Sequence, residues 1–249
     1  MKNSKIKMAL LSVNDGSLIG PFERCQGFSE GLAAAEVGGK YGYIDTNGEF
    51  VIQPQFEDAS YFSDGWAVVE NAGKKFYINR EGEKVLSPNF EDFGHFSEGL
   101  GWFEEDGKYG YMDKTGKKII EPVHNTFDLF SGGFATSDLK TGKIIDKAGN
   151  EVIPPKEWFE SFAKDTSVDY IPKKDEKTGL YGFVDNNGNL VIEPQFDDAD
   201  FPSEGIARVK KDGFYGYFKV SSDEWLAKPS FIDGNRVADE CGFILVELP

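Results

Sequence analysis

Residues 28–61 read FSEGLAAAEVGGKYGYIDTNGEFVIQPQFEDASY, and residues 62–95 read FSDGWAVVENAGKKFYINREGEKVLSPNFEDFGH. A third copy starts at Phe96 with FSEGLGWFEEDGKYGYMDKTGKKIIEP, and Phe130 starts a fourth after another 34 residues. Self-similarity at a fixed period is the sequence signature of a repeat architecture. The chain is therefore expected to fold as one domain of tandem 34-residue repeats.

The repeat boundaries follow from these start points. The fourth unit is two residues shorter than its neighbours, which carry Tyr-Gly at that place, and the fifth contains an insertion at 173–177. Part of a unit remains at either end. We assign repeats to 28–61, 62–95, 96–129, 130–161, 162–200 and 201–230, and half-repeats to 8–27 and 231–249.

Each unit is expected to contain four short strands. In the first unit, residues 32–37, 41–45 and 50–52 are rich in β-favouring or small residues. Pro54 is expected to end the third strand, and a fourth begins at Phe56. Short strands joined by tight turns are typical of a meandering antiparallel sheet. The sequence thus predicts an all-β fold.

The turn between the second and third strands is DTNG at residues 45–48. Asp first and Gly fourth is typical of a type I turn followed by a left-handed Gly. The related DNNG at 185–188 lacks the alternating oxygen ligands and distant Glu of a calcium loop. The second strand also has a recurrent glycine, which predicts a bulge or a closely packed backbone. It occurs at positions 42, 110, 182, 216 and 242.

The two chain ends resemble complementary halves of one unit. Residues 18–23 resemble its third and fourth strands, whereas 235–238 and 241–244 resemble its first and second. Joining first and last strands in one sheet is how a closed propeller protects its edges. We therefore expect a seven-bladed β-propeller-like ring closed by the two half-repeats, with an open β-solenoid as the alternative. Residues 5–13 have no counterpart and are expected to form an additional strand.

The repeat unit, with its FSEG, GKYGYID and PxF elements, resembles the WG-repeat (KWG-repeat) family of bacterial proteins. The resemblance covers essentially the whole chain and is clearest in 28–130 and 180–217. The Trp that precedes Gly in the family is Tyr here, so the aromatic character of the position is kept. These tyrosines are Tyr41, Tyr109, Tyr181 and Tyr215. The resemblance implies a β-rich, propeller-like interaction module, and it implies neither catalytic residues nor a cofactor.

The charge and composition of the chain restrict its partners. With 43 acidic and 27 basic residues, the net charge of −16 repels a phosphate backbone and argues against nucleic acid. No stretch approaches the ~20 apolar residues of a membrane helix. Cys25 and Cys241 form no metal motif and suit a reducing compartment. The apolar run at 8–11 is too short for a secretory signal, so we expect a cytoplasmic protein.

The few residues with catalytic chemistry fall on repeat positions. His95 stands where Tyr61 stands, and His124 stands where Phe56 and Phe90 stand, so each is expected to replace a structural aromatic. Pairs of acids recur after the fourth-strand aromatic, which favours a solvated acidic rim. These pairs are Glu57-Asp58, Glu91-Asp92 and Asp197-Asp198. Because paired carboxylates cleave glycosidic bonds in some propellers, a carbohydrate-active protein is the alternative function.

The binding surface is expected where the repeat is broken, because loops that depart from a regular framework often carry recognition. The break runs from the shortened fourth unit to the insertion in the fifth. Its candidate partner-binding residues are Trp158, Phe159, Lys173, Lys174, Asp175 and Glu176. Trp158 and Phe159 are alternatively core residues, since large aromatics are usually buried. We expect a non-catalytic scaffold whose partner is another protein, with an acidic inhibitor of a basic protein as one specific form.

Removal of residues 241–249 tests the composite closing unit. If the two half-repeats share one sheet, the deletion exposes sheet edges and lowers the melting temperature of the whole domain in one cooperative transition. In an open solenoid the loss is local, because stability there is nearly additive over neighbouring repeats. Calorimetry compares the truncated and full chains, and equal melting temperatures would contradict a shared closing sheet.

Overall fold

The computed structural model describes residues 7–138, 143–155, 170–235, 238–239 and 241–249. Within these ranges the chain forms strands and turns, arranged as seven small antiparallel sheets, and no helix. Accordingly, no helix in this part of the chain could cross a membrane. The all-β repeat fold predicted from the sequence is confirmed.

The strands follow the chain in groups. The first two are β1 (Lys7–Ser12) and β2 (Leu18–Phe22). Sheet one contains β3 (Arg24–Cys25), β4 (Ala33–Val37), β5 (Lys40–Ile44) and β6 (Phe50–Phe56). Sheet two contains β7 (Asp58–Ala59), β8 (Ala67–Asn71), β9 (Lys74–Ile78) and β10 (Lys84–Leu86). Sheet three contains β11 (Asp92–Ser97), β12 (Leu100–Glu105), β13 (Lys108–Met112) and β14 (Lys118–His124).

The remaining strands complete four more sheets. Sheet four contains β15 (Phe134–Asp138), β16 (Lys143–Asp146) and β17 (Glu151–Val152). Sheet five contains β18 (Tyr170–Lys174), β19 (Tyr181–Asp185) and β20 (Leu190–Phe196). Sheet six contains β21 (Asp198–Ala199), β22 (Ile206–Lys211), β23 (Phe214–Lys219) and β24 (Glu224–Phe231). Sheet seven has the order β2-β1-β26-β25, with β25 (Asp233–Gly234) and β26 (Phe243–Leu248) from the far end of the chain.

The chain divides into two compact units. Unit one comprises Met1–Gly39, Tyr43–Phe50 and Thr166–Pro249, and unit two comprises Lys40–Gly42 and Val51–Asp165. Sheets two, three and four lie in unit two, whereas sheets five, six and seven lie in unit one. Each unit has its own buried clusters of aliphatic and aromatic side chains, such as that around Phe28 in unit one and that around Phe103 in unit two.

Sheet seven is the composite sheet predicted from the two chain ends. Strand β1 pairs with β26 over six residues, from Lys7 opposite Leu248 to Ser12 opposite Phe243. The assignment of its strands was wrong in two respects. The additional strand predicted at 5–13 is not additional where it is described, because residues 7–12 form β1, which takes the place of a repeat's second strand. The strand that corresponds to the first strand of a repeat is β26 rather than 235–238. Gly242 lies in the turn before β26, with φ of 79°. A closed ring of seven sheets stays a prediction.

The proline of the third strand does not end that strand, contrary to the sequence-based prediction. Strand β14 continues through Pro122 to His124, and its pairing with β13 shifts register at this point. A proline has no N–H to donate, so it is tolerated in an outer strand at a bulge. The bulge lies against Gly110, where a Cβ would stand 2.5 Å from the Ile120 carbonyl oxygen and 2.9 Å from the Pro122 nitrogen. The recurrent proline therefore lies in a bulge, and the recurrent glycine leaves room for that bulge to pack against the second strand.

The predicted turn at 45–48 is confirmed. The Gly48 amide donates to the Asp45 carbonyl at 2.9 Å, and Gly48 has φ of 84°. The Asp45 carboxylate accepts hydrogen bonds from the amides of Asn47 and Glu49 at 2.9 and 3.0 Å. These hydrogen bonds hold the pKa of Asp45 below its ordinary value. Equivalent Asp-to-Gly turns occur at 113–116, 146–149 and 185–188.

The FSEG and FSDG elements form tight turns that link successive sheets. Glu98 and Gly99 both have positive φ, as a type I′ turn requires. The Ser97 hydroxyl donates to the Phe130 carbonyl, 33 residues further on, at 2.6 Å. The Glu98 carboxylate accepts the amides of Gly132 and Gly133 at 2.6 and 3.0 Å. The turns at 63–66 and 97–100 therefore bind the corresponding turns of the next units.

Buried tyrosines in the second strands make a second link. Tyr77 is 1% exposed and donates its hydroxyl to the Gly94 carbonyl at 2.6 Å. Tyr111 donates in the same way to the Asp128 carbonyl at 2.9 Å, and burial raises its pKa to about 12. A buried phenol usually needs such a partner, because an unsatisfied polar group costs free energy. The hydroxyl thus fixes the distance between neighbouring sheets.

Replacing Gly48 by Ala tests whether turn glycines also serve inter-sheet packing. Gly188 has the same turn and nearly the same φ, 83°, but no described atom lies within 4 Å of a Cβ placed there. At Gly48 that Cβ would stand 2.7 Å from Cγ2 of Ile19. Both substitutions incur the left-handed strain of about 1 kcal/mol. Gly48→Ala is expected to lower the free energy of unfolding by a further ~1 kcal/mol or more, because Ile19 must move.

Chemical denaturation measures this difference, with Thr46→Ala as a control expected to change stability by less than about 0.5 kcal/mol. Equal losses for Gly48→Ala and Gly188→Ala would show that the glycine is required by the turn conformation alone.

Candidate functional site

The β18–β19 hairpin contains four of the six predicted binding residues. Lys173 and Lys174 lie in β18, opposite Gly182 and Tyr181 of β19. Asp175 and Glu176 lie in the turn that follows. The insertion at 173–177 is therefore part of a hairpin, with 173–174 in strand β18 and 175–177 in the turn. Trp158 and Phe159 lie outside the described residues.

Asp175 holds the turn together. Its carboxylate accepts hydrogen bonds from the Lys177 amide at 3.1 Å, the Thr178 amide at 3.3 Å and the Thr178 hydroxyl at 2.8 Å. The hydrogen bonds, with that from the Thr178 hydroxyl first, lower the pKa of Asp175. Gly179 closes the turn with φ of 74° and donates to the Asp175 carbonyl at 2.8 Å. Because its oxygens are engaged within the turn, Asp175 supports the hairpin rather than serving as a free contact.

Lys173 occupies a position that is apolar and buried in other sheets. It lies opposite the strand glycine Gly182, as Phe103 lies opposite Gly110 and Val209 opposite Gly216. Phe103 and Val209 are both fully buried, whereas Lys173 is exposed. The fifth sheet thus presents an ammonium group where the repeat normally places core.

A groove of ≈570 Å³ runs beside the hairpin. Its apolar part includes Leu190, which is 52% exposed, and Pro194. Its charged part combines three lysines with three carboxylates, so the groove is locally balanced within a strongly acidic chain. These residues are Lys173, Lys174, Lys177, Asp175, Glu176 and Glu193. Such a mixture of exposed aliphatic and charged side chains suits a polypeptide surface better than a small apolar ligand.

Sequence reasoning did not identify the residues of β20 that complete the groove. Leu190, Glu193 and Pro194 occupy ordinary repeat positions, and nothing in their sequence context distinguishes them. They become part of the site only because β20 pairs with β19 in the same sheet as the extended hairpin. To find these residues from the sequence, one would have had to predict how β20 pairs with β19.

The two histidines take aromatic positions, as their register indicated. His95 stacks on Tyr61 with ring centroids 3.8 Å apart and an interplanar angle of 12°. Burial lowers the pKa of His95, and burial together with the charge of Lys143 lowers that of His124. Both imidazoles are therefore neutral near pH 7.

The recurrent acids have structural partners. Glu57 pairs with Lys40 at 3.4 Å, and Asp92 pairs with Lys75 at 2.7 Å. The Asp58 carboxylate accepts the amide of Ala59 at 2.9 Å. Within the described residues, no group of three His, Cys, Asp or Glu side chains is arranged to hold a metal ion.

Trp66 and Trp102, both in unit two, are half-buried among other rings. Trp66 lies 5.3 Å from Phe96 between centroids, and Trp102 stacks on Phe127 at 4.0 Å. In unit one, Trp225 packs on Phe218 at 5.2 Å. These three side chains therefore contribute to the packing of their sheets.

The sequence matches a known family of repeats. The family model described as "WG containing repeat" matches residues 22–41, 41–74, 76–109, 109–136 and 181–215. No curated protein matches the chain at a significant level. The matched stretches cover more than half of the chain.

Several solved structures resemble the chain at low sequence identity and low TM-score. Hsv2 of Kluyvelomyces marxianus is 11% identical, with a TM-score of 0.35 over 79% of this chain and 75% of that one. A eukaryotic initiation factor is 11% identical, with a TM-score of 0.40 over 98% and 89%. The CNH domain of AfRom2 is 10% identical, with a TM-score of 0.32 over 99% and 95%.

Replacing Asp175 by Ala is expected to loosen the β18–β19 turn, because three hydrogen bonds lose their acceptor. The adjacent change Glu176→Ala removes a carboxylate of the same hairpin and is expected to be silent. Hydrogen exchange at the amides of Asp175 and Gly179 measures the difference. Because the folded pKa of Asp175 is lowered, its stabilising effect is present at neutral pH and is lost as pH falls through that pKa. Equal exchange rates in the two variants would contradict this role.

Proposed function

Because this chain belongs to the family of WG containing repeats, we propose that it is a non-catalytic β-repeat scaffold that binds another protein. The observation that carries the proposal is the groove beside the β18–β19 hairpin. There a lysine replaces a core residue, the turn is longer than the two-residue turns of sheets two, three and six, and Leu190 is exposed beside it. Recognition loops on a regular framework have this character.

The partner is proposed to be a basic protein. The net charge of −16 creates a negative potential that attracts cationic proteins and raises their association rate. The balanced charges of the groove then allow close contact, since Lys173, Glu176 and Glu193 offer groups of both signs. An acidic inhibitor of a basic protein is the specific form of this proposal.

The acid pairs support a structural role rather than hydrolysis of glycans. A retaining or inverting glycosidase uses one dedicated pair of carboxyl groups about 5–9.5 Å apart. Here the acids recur with the repeat, and Glu57 and Asp92 are engaged by lysines of the neighbouring hairpins. Such ion pairs help to order the hairpin edges.

Affinity capture from the source lysate tests the proposal, followed by titration of any captured protein by calorimetry. The variant Lys173→Ser/Glu176→Ser is expected to weaken binding at least tenfold, because both exposed charges border the groove. Asp175 is left unchanged because it supports the turn. The matched control Glu57→Ser/Asp58→Ser alters an acidic edge elsewhere and is expected to change affinity less than threefold.

Raising the salt concentration is expected to slow association with a basic partner, because it screens the attraction between the two proteins. If the control weakens binding as much as the groove variant does, the partner binds elsewhere. If no protein is captured and a glycan is cleaved in a manner abolished by Glu57→Gln, the scaffold proposal is wrong.

A further inference from the structure

The second strand of sheet two lacks the glycine against which the outer strand packs in other sheets. In four of those sheets, a Cβ at this glycine would stand 2.8 Å or less from a carbonyl oxygen of the outer strand. These glycines are Gly42, Gly110, Gly182 and Gly216. In sheet two, Phe76 takes this place, 34 residues after Gly42 and opposite Val69. Its side chain therefore occupies the path that the outer strand follows elsewhere.

The outer strand of sheet two is accordingly short. Strand β10 has three residues, whereas β6, β14 and β20 have seven and β24 has eight. The longer strands continue to a residue opposite the beginning of the second strand, as His124 lies opposite Tyr109 in sheet three. In sheet two the pairing ends with Leu86 opposite Tyr77. The beginning of β9 is therefore an open sheet edge.

Lys75, which corresponds to Tyr109, turns its backbone donor and acceptor toward this open edge. The β8–β9 turn has two residues, so the flanking residues Asn71 and Lys74 exchange hydrogen bonds. The next pair, Glu70 and Lys75, directs its backbone groups away from each other, because the two kinds of pair alternate. The Glu70 carbonyl accordingly accepts an amide of the neighbouring strand side, that of residue 57, at 2.8 Å. The Lys75 N–H and C=O face the opposite side, where the described chain gives them no partner.

A groove of ≈570 Å³ lies along this edge. One wall is the end of the β8–β9 hairpin, including Lys75, and the other is the stretch 87–93. Pro88 and Phe90, both half-buried, supply its apolar surface. The backbone groups of Lys75 therefore border a space that is wide enough for another polypeptide segment.

The charges that line the groove favour a cationic occupant. Asp92 and Lys75 form an ion pair at 2.7 Å, so their charges cancel. Glu70 and Glu91 also line the groove, and neither forms an ion pair within the described part of the chain. The ammonium group of Lys74 offsets one of these two carboxylates, so the lining keeps one net negative charge. A basic segment complements this charge and that of the whole chain, −16.

We propose that the open edge of β9 binds an extended, basic segment of a partner protein, which adds a strand to sheet two. The backbone of this segment exchanges hydrogen bonds with Lys75, in the way that the outer strand of sheet three pairs with Tyr109. Its lysine or arginine side chains lie near Glu70 and Glu91. A second copy of this chain fits the edge less well, because both copies carry a net charge of −16. The site shares no residue with the groove of sheet five, so either site can fail without the other.

Titration with the capped peptide acetyl-TKVKT-amide, followed by the backbone amide signals in NMR spectra, tests the proposal. In the free protein, the Lys75 amide is expected to exchange its hydrogen at least tenfold faster than the Tyr109 amide. The peptide is expected to bind with a dissociation constant on the order of 1 mM and to slow exchange at Lys75 at least tenfold. An analogue N-methylated at its three central residues keeps every side chain and charge but cannot donate hydrogen bonds there. It is expected to bind at least tenfold more weakly.

Two substitutions at Lys75 separate its backbone from its side chain. Lys75→Pro removes the outward N–H, which β8 does not use, and is expected to weaken peptide binding at least tenfold. Lys75→Thr is the matched control, because it also loses the ion pair with Asp92 but keeps the N–H, and it is expected to change affinity less than threefold. Should Lys75→Pro not fold, the N-methylated peptide tests the same hydrogen bonds on the wild-type chain.

Equal affinities for the two peptides, or equal affinities of the two variants, would show that charge alone holds the peptide and would overturn the proposal. An unshifted Lys75 amide in the presence of the peptide would do the same. If the Lys75 amide becomes protected as the concentration of the protein alone is raised, a second copy occupies the edge and the proposal is wrong.

Discussion

The structure depends on one constraint: none of its sheets can bury a core alone. Among the residues that the structure describes, each has three or four strands, and several of these are only two residues long. A sheet of this size is stable only when its faces are covered by neighbours. The contacts between successive sheets therefore carry the fold, and they recur at fixed sequence distances. The tyrosine hydroxyls reach 17 residues ahead, and the serine hydroxyls reach 33 residues ahead.

This constraint explains which parts of the fold could be predicted from the sequence. Residues that contact the next sheet, such as Tyr77 and Ser97, occur once per unit, so the sequence showed the repeat period. The turn at 45–48 could also be predicted from the sequence. The effect of Pro122 could not be predicted, because whether a proline ends a strand or lies in a bulge depends on the glycine opposite it. The strands of sheet seven were misassigned for a similar reason. Their partners are far apart in sequence, so no local turn fixes the register of β26 against β1.

The candidate site was only partly readable. A departure from the repeat pointed to Lys173 and Glu176, and the structure places both at a groove. The role of Asp175 was missed because hydrogen bonds to Thr178 depend on the turn conformation, which an insertion of unknown shape does not reveal.

The pairing of β1 with β26 sets the order in which the chain can fold. Lys7 and Leu248 are 241 residues apart (248 minus 7), whereas the strands of the other six sheets are close neighbours along the chain. Contacts of high sequence separation form slowly, because a long loop must close first. During synthesis on the ribosome, sheet seven, which contains Leu10 and Leu11, cannot be completed until β26 has been made. Both side chains are fully buried in the finished fold, so β1 exposes apolar surface in the nascent chain until β26 has been made.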